Sequence, residues 1–157
     1  MYIVCIEFGN QKRFIVCKSL SIGALMYKGS CLCGAISFLV EGELREPDAC
    51  HCLQCRKSSG HYYVSTDVPR SSLDIEGEES ITWYNQSEKI RRGFCSKCGT
   101  PLFYDPIDKE KHNWIGISMG SFNDQTNTKL GIHIFVEEKG DYYEIKDDLL
   151  QYKRTPE

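Results

Sequence analysis

Three cysteines fall within six residues at Cys50-His51-Cys52-Leu53-Gln54-Cys55, and this stretch decides how the rest of the chain is expected to fold. Two further pairs flank it, as Cys31-Leu32-Cys33 and as Cys95-Ser96-Lys97-Cys98-Gly99. Residues two apart on a strand face the same side, so each Cys-x-Cys step can aim two sulfurs in one direction. A Cys-x-x-Cys turn brings two thiolates within reach of one metal ion, and the glycine that follows one of these turns permits its backbone.

Disulfide bonds and inert buried thiols are the alternative interpretations of these seven cysteines. The whole chain has nine cysteines, an odd number that excludes complete internal pairing. The N-terminus shows no basic segment, apolar stretch and cleavage site of a secretion signal, and without secretion clustered cysteines indicate metal binding or catalysis. Thiolates without histidine at ligand spacing favour zinc, or less often an iron–sulfur cluster. Cys5 and Cys17 stand alone and are interpreted as buried single cysteines.

The number of clustered cysteines predicts two metal sites of different kinds. Two closed sites of four thiolates would need eight ligands, so seven predict one closed, structural site and one site with three protein ligands. A zinc ion with three protein ligands keeps a position for water or substrate, as catalytic zinc does. Spacing leaves the grouping open, because Cys52 and Cys55 could combine with Cys95 and Cys98 in one ribbon.

Length and composition are those of one globular domain. The chain has 157 residues, of which 41% are hydrophobic and 26% charged, too apolar for a disordered protein. No apolar run approaches the roughly 20 residues of a membrane span, so no membrane contact is expected and a cytoplasmic location is predicted. The net charge of −3 gives no electrostatic footprint for nucleic acid.

Short runs of β-branched and aromatic residues, separated by turn residues, follow one another after residue 27. They predict a mainly β fold of short antiparallel strands pinned by zinc. Short helices are expected near residues 55–59 and 147–150. The predicted strands span residues 34–40, 62–65, 80–85, 90–94, 102–104, 114–119, 131–136 and 142–145.

The first 25 residues stand apart from the rest of the chain. They could form two short strands around Gly9-Asn10, or Met26 could be the true start, and the sequence leaves both interpretations open. The predicted division is therefore an N-terminal extension over residues 1–25, a zinc domain over 26–150 and a C-terminal tail over 151–157.

The ordered cysteine motifs resemble the glutathione-dependent formaldehyde-activating enzyme family, also called the centromere-protein-V type. The resemblance covers about residues 27–150 and is specific as a set, although each Cys-x-x-Cys alone would be weak. The segments that carry it are residues 29–36, 50–60 and 94–102, with 133–136 and 141–148 similar to the closing segment of the family.

This resemblance implies a β-tent fold with two zinc ions and a carbon–sulfur lyase activity. The named reaction of the family joins glutathione and formaldehyde as S-hydroxymethylglutathione, so a small thiol and a small aldehyde are the expected partners. Three thiolates leave zinc with a formal charge of −1, and a thiol that coordinates there could lose its proton and attack the aldehyde carbon. The implied ligands are Cys31, Cys33, Cys95 and Cys98 for the structural zinc, and Cys50, Cys52 and Cys55, the catalytic group, for the open zinc.

Basic residues near the motifs are candidates for ligand binding. Arg56 and Lys57 follow the three-cysteine stretch and could bind the carboxylates of a glutathione-like ligand, or could be a solvated basic pair. Arg91 and Arg92 are expected on opposite faces of a strand, where one of them could reach a ligand, although the surface is the favoured position for each.

Histidines are expected to support the fold more than the chemistry. His51 lies between two cysteines whose sulfurs share a face, so its ring is expected to point away from the metal. His133 is interpreted as structural, while His61 is a weaker candidate for an acid or base. Two other functions stay open: a non-enzymatic zinc-binding module on the same fold, and a thiol redox protein.

Overall fold

Short β-strands make up most of the ordered backbone in the computed structural model, which describes residues 25–156. Within that part of the chain there are eleven strands and one α-helix, α1 (Leu53–Ser59). In chain order the strands are β1 (Met26–Ser30), β2 (Ser37–Glu41), β3 (Asp48–Cys50), β4 (Tyr63–Pro69), β5 (Leu73–Glu76), β6 (Ile81–Asn85), β7 (Ile90–Cys95), β8 (Pro101–Pro106), β9 (Trp114–Ser118), β10 (Ile132–Ile134) and β11 (Leu150–Gln151).

Two sheets organise these strands. The smaller has the order β1-β2-β5, and the larger has the order β11-β10-β3-β4-β9-β8-β7-β6. Every pair in the smaller sheet is antiparallel, as are the pairs from β3 to β6 in the larger one. The predicted mainly β, antiparallel fold is therefore confirmed, except that β10 runs parallel to both β3 and β11.

The hydrophobic core joins the inner faces of the two sheets. Phe38 of β2 contacts Phe103 of β8 edge to face, with ring centroids 6.0 Å apart, and contacts Phe122 at 5.4 Å. Alternate residues of β2 are buried, as the period of two of a half-buried strand requires. Each fully buried large side chain of this kind contributes about 1.5–3 kcal/mol. The cluster comprises Tyr27, Cys31, Ile36, Phe38, Val40, Val68, Cys95, Leu102, Phe103, Ile115 and Ile117.

The closing part of the chain differs from the sequence-based expectation. The predicted strand over residues 142–145 is wrong, because Tyr142 and Tyr143 use their side chains to pack on His61 instead of pairing their backbone in a sheet. The predicted helix over residues 147–150 is also wrong. The Asp147 carboxylate accepts a hydrogen bond from the Leu149 backbone N–H, which forms a tight turn, and β11 follows.

Four strands were not predicted, namely β1, β3, β5 and β11, whereas the helix expected near residues 55–59 is present as α1. The hairpin suggested for the first 25 residues lies outside the described residues, and the division of the chain into three segments stays a prediction. Within residues 25–156 no helix is both long and apolar enough to cross a membrane.

Candidate metal centres

Four cysteines from two loops meet at one edge of the core. Cys31 and Cys33 follow β1, while Cys95 ends β7 and Cys98 lies in the turn before β8. Their four Sγ atoms all lie within 4.8 Å of one another. The Sγ atoms of Cys31 and Cys33 are 3.6 Å apart, and those of Cys33 and Cys95 are 3.8 Å apart.

These sulfur separations match a metal centre and not disulfides. A disulfide bond is about 2.05 Å long. A tetrahedral zinc ion with Zn–S bonds of about 2.3 Å places its thiolates about 3.8 Å apart. The four thiol donors and their spacing therefore fit a closed zinc site.

Local hydrogen bonds hold this four-cysteine cluster in place. The Ile36 backbone N–H donates to Cys31 Sγ at 3.3 Å, and the Gly99 N–H closes the second turn by donating to the Cys95 carbonyl at 2.9 Å. Gly99 has a φ of 75°, a conformation that side-chain-bearing residues rarely adopt. The hydrogen bond to the Thr100 hydroxyl is the largest cause that lowers the pKa of Cys98 to about 5.

Three cysteines meet at the start of α1 and form the second group. Cys50 ends β3, Cys52 caps the N-terminus of α1 and Cys55 lies buried in its first turn. Their Sγ atoms also lie within 4.8 Å of one another, and no fourth His, Cys, Asp or Glu donor of residues 25–156 joins them. The Cys-x-Cys spacing predicted that Cys50 and Cys52 share a strand, and this prediction is wrong. β3 ends at Cys50, and Cys52 is the N-cap of α1, which turns its sulfur toward that of Cys50.

Hydrogen bonding distributes negative charge unevenly in this three-cysteine cluster. The Cys55 backbone N–H donates to Cys52 Sγ at 3.4 Å. Hydrogen bonds from the Cys50 and Cys55 thiols lower the pKa of Cys52 to about 2. The same contacts raise the pKa of Cys50, because its proton is the one shared with the neighbouring thiolate. Two thiols that support a thiolate in this way are, together with it, a donor set that suits a soft cation.

The structure thus brings the seven predicted ligands together as four plus three. The ribbon that the spacing also allowed, with Cys52 and Cys55 beside Cys95 and Cys98, does not form among the described residues. Their role as metal ligands remains a prediction at this point.

Arg92 is the residue near the clusters that sequence reasoning missed. Its predicted surface position is wrong, since it is only 9% exposed and its Nη2 donates a hydrogen bond to Cys55 Sγ at 3.2 Å. Arg91 faces the other way, as strand alternation predicts, and pairs with buried Asp105 at 2.7 Å. A cluster of buried thiolates requires a compensating cation, and that requirement is the signal that points to a basic residue on the neighbouring strand.

The two predicted carboxylate-binding residues lie on α1 directly after Cys55. Lys57 is exposed, whereas Arg56 is half-buried and its Nε has no hydrogen-bond partner among the described residues. This nitrogen is itself buried, so it is an unsatisfied donor of the kind that is uncommon in protein interiors.

The histidines form a hydrogen-bonded chain behind the three-cysteine cluster. His51 is fully buried; its Nδ1 lies 2.5 Å from the Tyr143 hydroxyl and its Nε2 lies 2.8 Å from Nδ1 of His133. Nε2 of His133 lies 3.0 Å from the Asp147 carboxylate. Burial is the largest cause that lowers the pKa of His51 to about 4, so the ring is neutral near pH 7. The interpretation of His51 and His133 as supporting residues agrees with these contacts.

Comparison with known proteins gives concordant results at low identity. Residues 26–138 match the family described as glutathione-dependent formaldehyde-activating enzyme. A Halomonas elongata protein named for the same enzyme is 28% identical over 131 residues, which are 78% of this chain and 82% of that protein. A Schizosaccharomyces pombe protein named as an uncharacterized lyase is 25% identical over 118 residues, 75% and 84% of the two chains.

A solved structure shares the fold. The crystal structure of a Rhodobacter sphaeroides protein matches 62% of this chain and 89% of its own length, with a TM-score of 0.52 and 23% identity. At that identity the likeness supports the architecture and carries no information about the reaction.

Proposed function

The chain belongs to the glutathione-dependent formaldehyde-activating enzyme family, and from that premise we propose that it is a zinc-dependent carbon–sulfur lyase. The proposed substrate is an adduct of a small thiol and a small aldehyde, with S-hydroxymethylglutathione as the example that the family name suggests. The observation that carries the proposal is the cluster of Cys50, Cys52 and Cys55, which has three thiol donors and lacks a fourth among the described residues.

The two cysteine clusters take different roles in this proposal. The cluster of Cys31, Cys33, Cys95 and Cys98 holds a structural zinc ion with a complete set of ligands, while the three-cysteine cluster holds a zinc ion that can accept one more. When bound there, zinc supplies a position at which an external thiol loses its proton at neutral pH. Three thiolates make zinc a weak Lewis acid, so the site favours a thiol nucleophile over the activation of water.

The proposed reaction conserves atoms without an external oxidant. The sulfur of the thiol forms a bond to the aldehyde carbon, and the carbonyl oxygen takes a proton to become the hydroxyl of the adduct. In the reverse direction the carbon–sulfur bond breaks and the aldehyde leaves. The protein contributes position and charge: the three cysteines fix where the sulfur binds, and Arg56 and Lys57 are the proposed contacts to the carboxylates of a glutathione-like thiol.

The proposed location is the cytoplasm. All seven cysteines of the described part of the chain are free, and reduced thiols persist in a reducing compartment.

Replacement of Cys52 by Ser tests this function directly. We expect the native protein to hold two zinc ions per chain and to accelerate exchange between free formaldehyde and S-hydroxymethylglutathione. The Cys52→Ser variant should keep its fold and one zinc ion but return the exchange to the uncatalysed rate, since the three-cysteine cluster loses its central sulfur. Metal analysis gives the stoichiometry, and NMR exchange spectroscopy gives the rate.

The matched control is Cys98→Ser, which removes a sulfur from the other cluster. It should lower the stability of the fold, because it removes a ligand from the proposed structural zinc site. Catalysis retained in Cys52→Ser would contradict the proposed site. Two zinc ions without any acceleration in the native protein would indicate a non-enzymatic zinc module, and one zinc ion with thiols that oxidise readily would indicate a redox protein.

A further inference from the structure

Arg92 brings a positive charge into the interior next to the three-cysteine cluster. Its guanidinium donates to Cys55 Sγ and to the side-chain oxygen of Gln86, and it lies over the rings of Tyr63 and Tyr104 at 5.5 and 5.2 Å. The side chain is 9% exposed. Arginine stays protonated in proteins, so the charge is always present.

No carboxylate of residues 25–156 forms an ion pair with this guanidinium, although Arg45, Arg70, Arg91 and Arg154 each have one. Gln86 is neutral. Burial raises the pKa of Tyr63 and raises that of Tyr104 to about 12, so neither phenol supplies negative charge near pH 7. A buried cation requires an anion, and the contacts of Arg92 leave the cysteine sulfurs to provide it.

We propose that Arg92 is the fixed countercharge of the three-cysteine metal centre. Three thiolates and one divalent zinc ion carry a formal charge of −1, which the guanidinium neutralises. A fourth, external thiolate would change the formal charge of zinc and its thiolates to −2. With the positive charge of Arg92 included, the total is only −1. The residue thus favours the metal-bound, deprotonated cluster and the binding of a further thiolate; the second effect rests on the function proposed above.

The geometry accounts for arginine at this position. One nitrogen reaches Cys55 Sγ while another is held by Gln86, and the flat guanidinium packs over two tyrosine rings. Lysine could supply the charge but not both directed hydrogen bonds. Arg92→Lys is therefore expected to keep part of the effect, and Arg92→Gln to lose it.

Competition for zinc between the protein and a chromophoric chelator tests the proposal. We expect two release steps, and the step that Cys52→Ser abolishes identifies the three-cysteine centre. Arg92→Gln should weaken that step by at least about tenfold and leave the other unchanged, because a contact screened from water is worth more than a surface ion pair. Arg92→Lys should weaken it by about two- to fourfold.

Lys89→Gln is the matched control, since it removes the same charge from an exposed position near β7. It should leave both steps unchanged. An unchanged step in Arg92→Gln, an equal weakening of both steps, or an equal effect of Lys89→Gln would overturn the proposal. If Arg92→Gln does not fold, Arg92→Met takes its place as the variant that removes the charge, and an unchanged step in Arg92→Met has the same meaning.

Cobalt in place of zinc separates this proposal from the proposed function. Thiolate-to-cobalt charge-transfer absorption should increase when glutathione binds, and Arg92→Gln should require at least about tenfold more glutathione for the same increase. A native protein without any response to glutathione would contradict the proposed function, while the zinc competition would still decide the role of Arg92. A response unaltered in Arg92→Gln would overturn the effect on the external thiolate.

Discussion

His51 lies between two cysteines of the three-cysteine cluster, yet all its hydrogen bonds are made on the other side. These hydrogen bonds are all satisfied when each residue donates to the next. The Tyr143 hydroxyl donates to Nδ1 of His51, Nε2–H of His51 donates to Nδ1 of His133, and Nε2–H of His133 donates to Asp147. This chain of hydrogen bonds therefore needs no charged histidine. It ties the connection between Cys50 and Cys52 to β10 and to the closing turn.

Truncation of His133 should expose how much this chain contributes to stability. His133 is 2% exposed, so His133→Ala leaves a cavity and an unsatisfied Nε2–H on His51, and we expect the free energy of unfolding to fall by about 2–4 kcal/mol. Urea denaturation of the zinc-loaded protein measures it. His112→Ala, at an exposed position, should change it by less than about 0.5 kcal/mol. Equal effects of the two substitutions would contradict the role of the chain.

At the scale of elements, the turn that ends β5 fits only glycine. Gly77 has a φ of 77°, and a Cβ atom placed on it would lie 2.1 Å from the carbonyl oxygen of Ala35. That carbonyl belongs to the segment that leads from the four-cysteine cluster into β2, where the Ile36 N–H donates to Cys31 Sγ. Close approach of the two backbones therefore links this turn to the geometry of the cluster.

Gly77→Ala is expected to lower the free energy of unfolding by at least about 2–3 kcal/mol, because it adds a backbone collision to an unfavourable φ. Gly42→Ala is the matched control: its φ is 101°, but nothing lies within 4 Å of the added Cβ. Gly42→Ala should lower the free energy of unfolding by only about 1 kcal/mol, because it adds conformational strain without a collision. Thermal unfolding followed by circular dichroism compares them, and a control as destabilised as Gly77→Ala would exclude the collision as the cause.

Sequence patterns correctly predicted those strands whose structure is determined by their own side chains. Residues 90–94 and 114–119 were predicted as strands from their β-branched and aromatic residues, and they correspond to β7 and β9. β3 was not found, because a strand of three residues is defined by its partners β4 and β10 and not by its composition. The strand predicted over residues 142–145 is absent for the opposite reason. The aromatic side chains of this segment pack on histidines, and local propensity cannot distinguish such a segment from a strand.

The sequence predicted the candidate site in part. The four-plus-three count follows from the cysteines alone, whereas their grouping was carried by the resemblance, because spacing permits two arrangements. Arg92 could not be placed, since its burial depends on how β7 packs against α1 across 37 residues of chain.

For the whole molecule, the two clusters differ in what they connect. Cys31 and Cys33 follow the first strand of the smaller sheet, and Cys95 and Cys98 belong to the larger one, so the four-cysteine cluster bridges the two sheets at the edge of the core. The cysteines of the three-cysteine cluster come only from β3 and the start of α1. A metal ion in the four-cysteine cluster would therefore stabilise the packing of the two sheets against each other. A metal ion in the three-cysteine cluster would stabilise only the connection between β3 and α1.

Loss of one ligand from each cluster should separate these effects on stability. A ligand present at a thousand times its dissociation constant stabilises a fold by about 4 kcal/mol, so Cys98→Ala is expected to remove at least that much from the zinc-loaded protein. Its amide hydrogens in residues 26–41 should exchange faster, because that part of the smaller sheet loses its link to the larger one. Cys50→Ala should change the melting temperature far less and leave those amides protected, since its cluster bridges no sheets. Calorimetry and hydrogen exchange measure both, and equal losses would show that the four-cysteine cluster does not hold the sheets together.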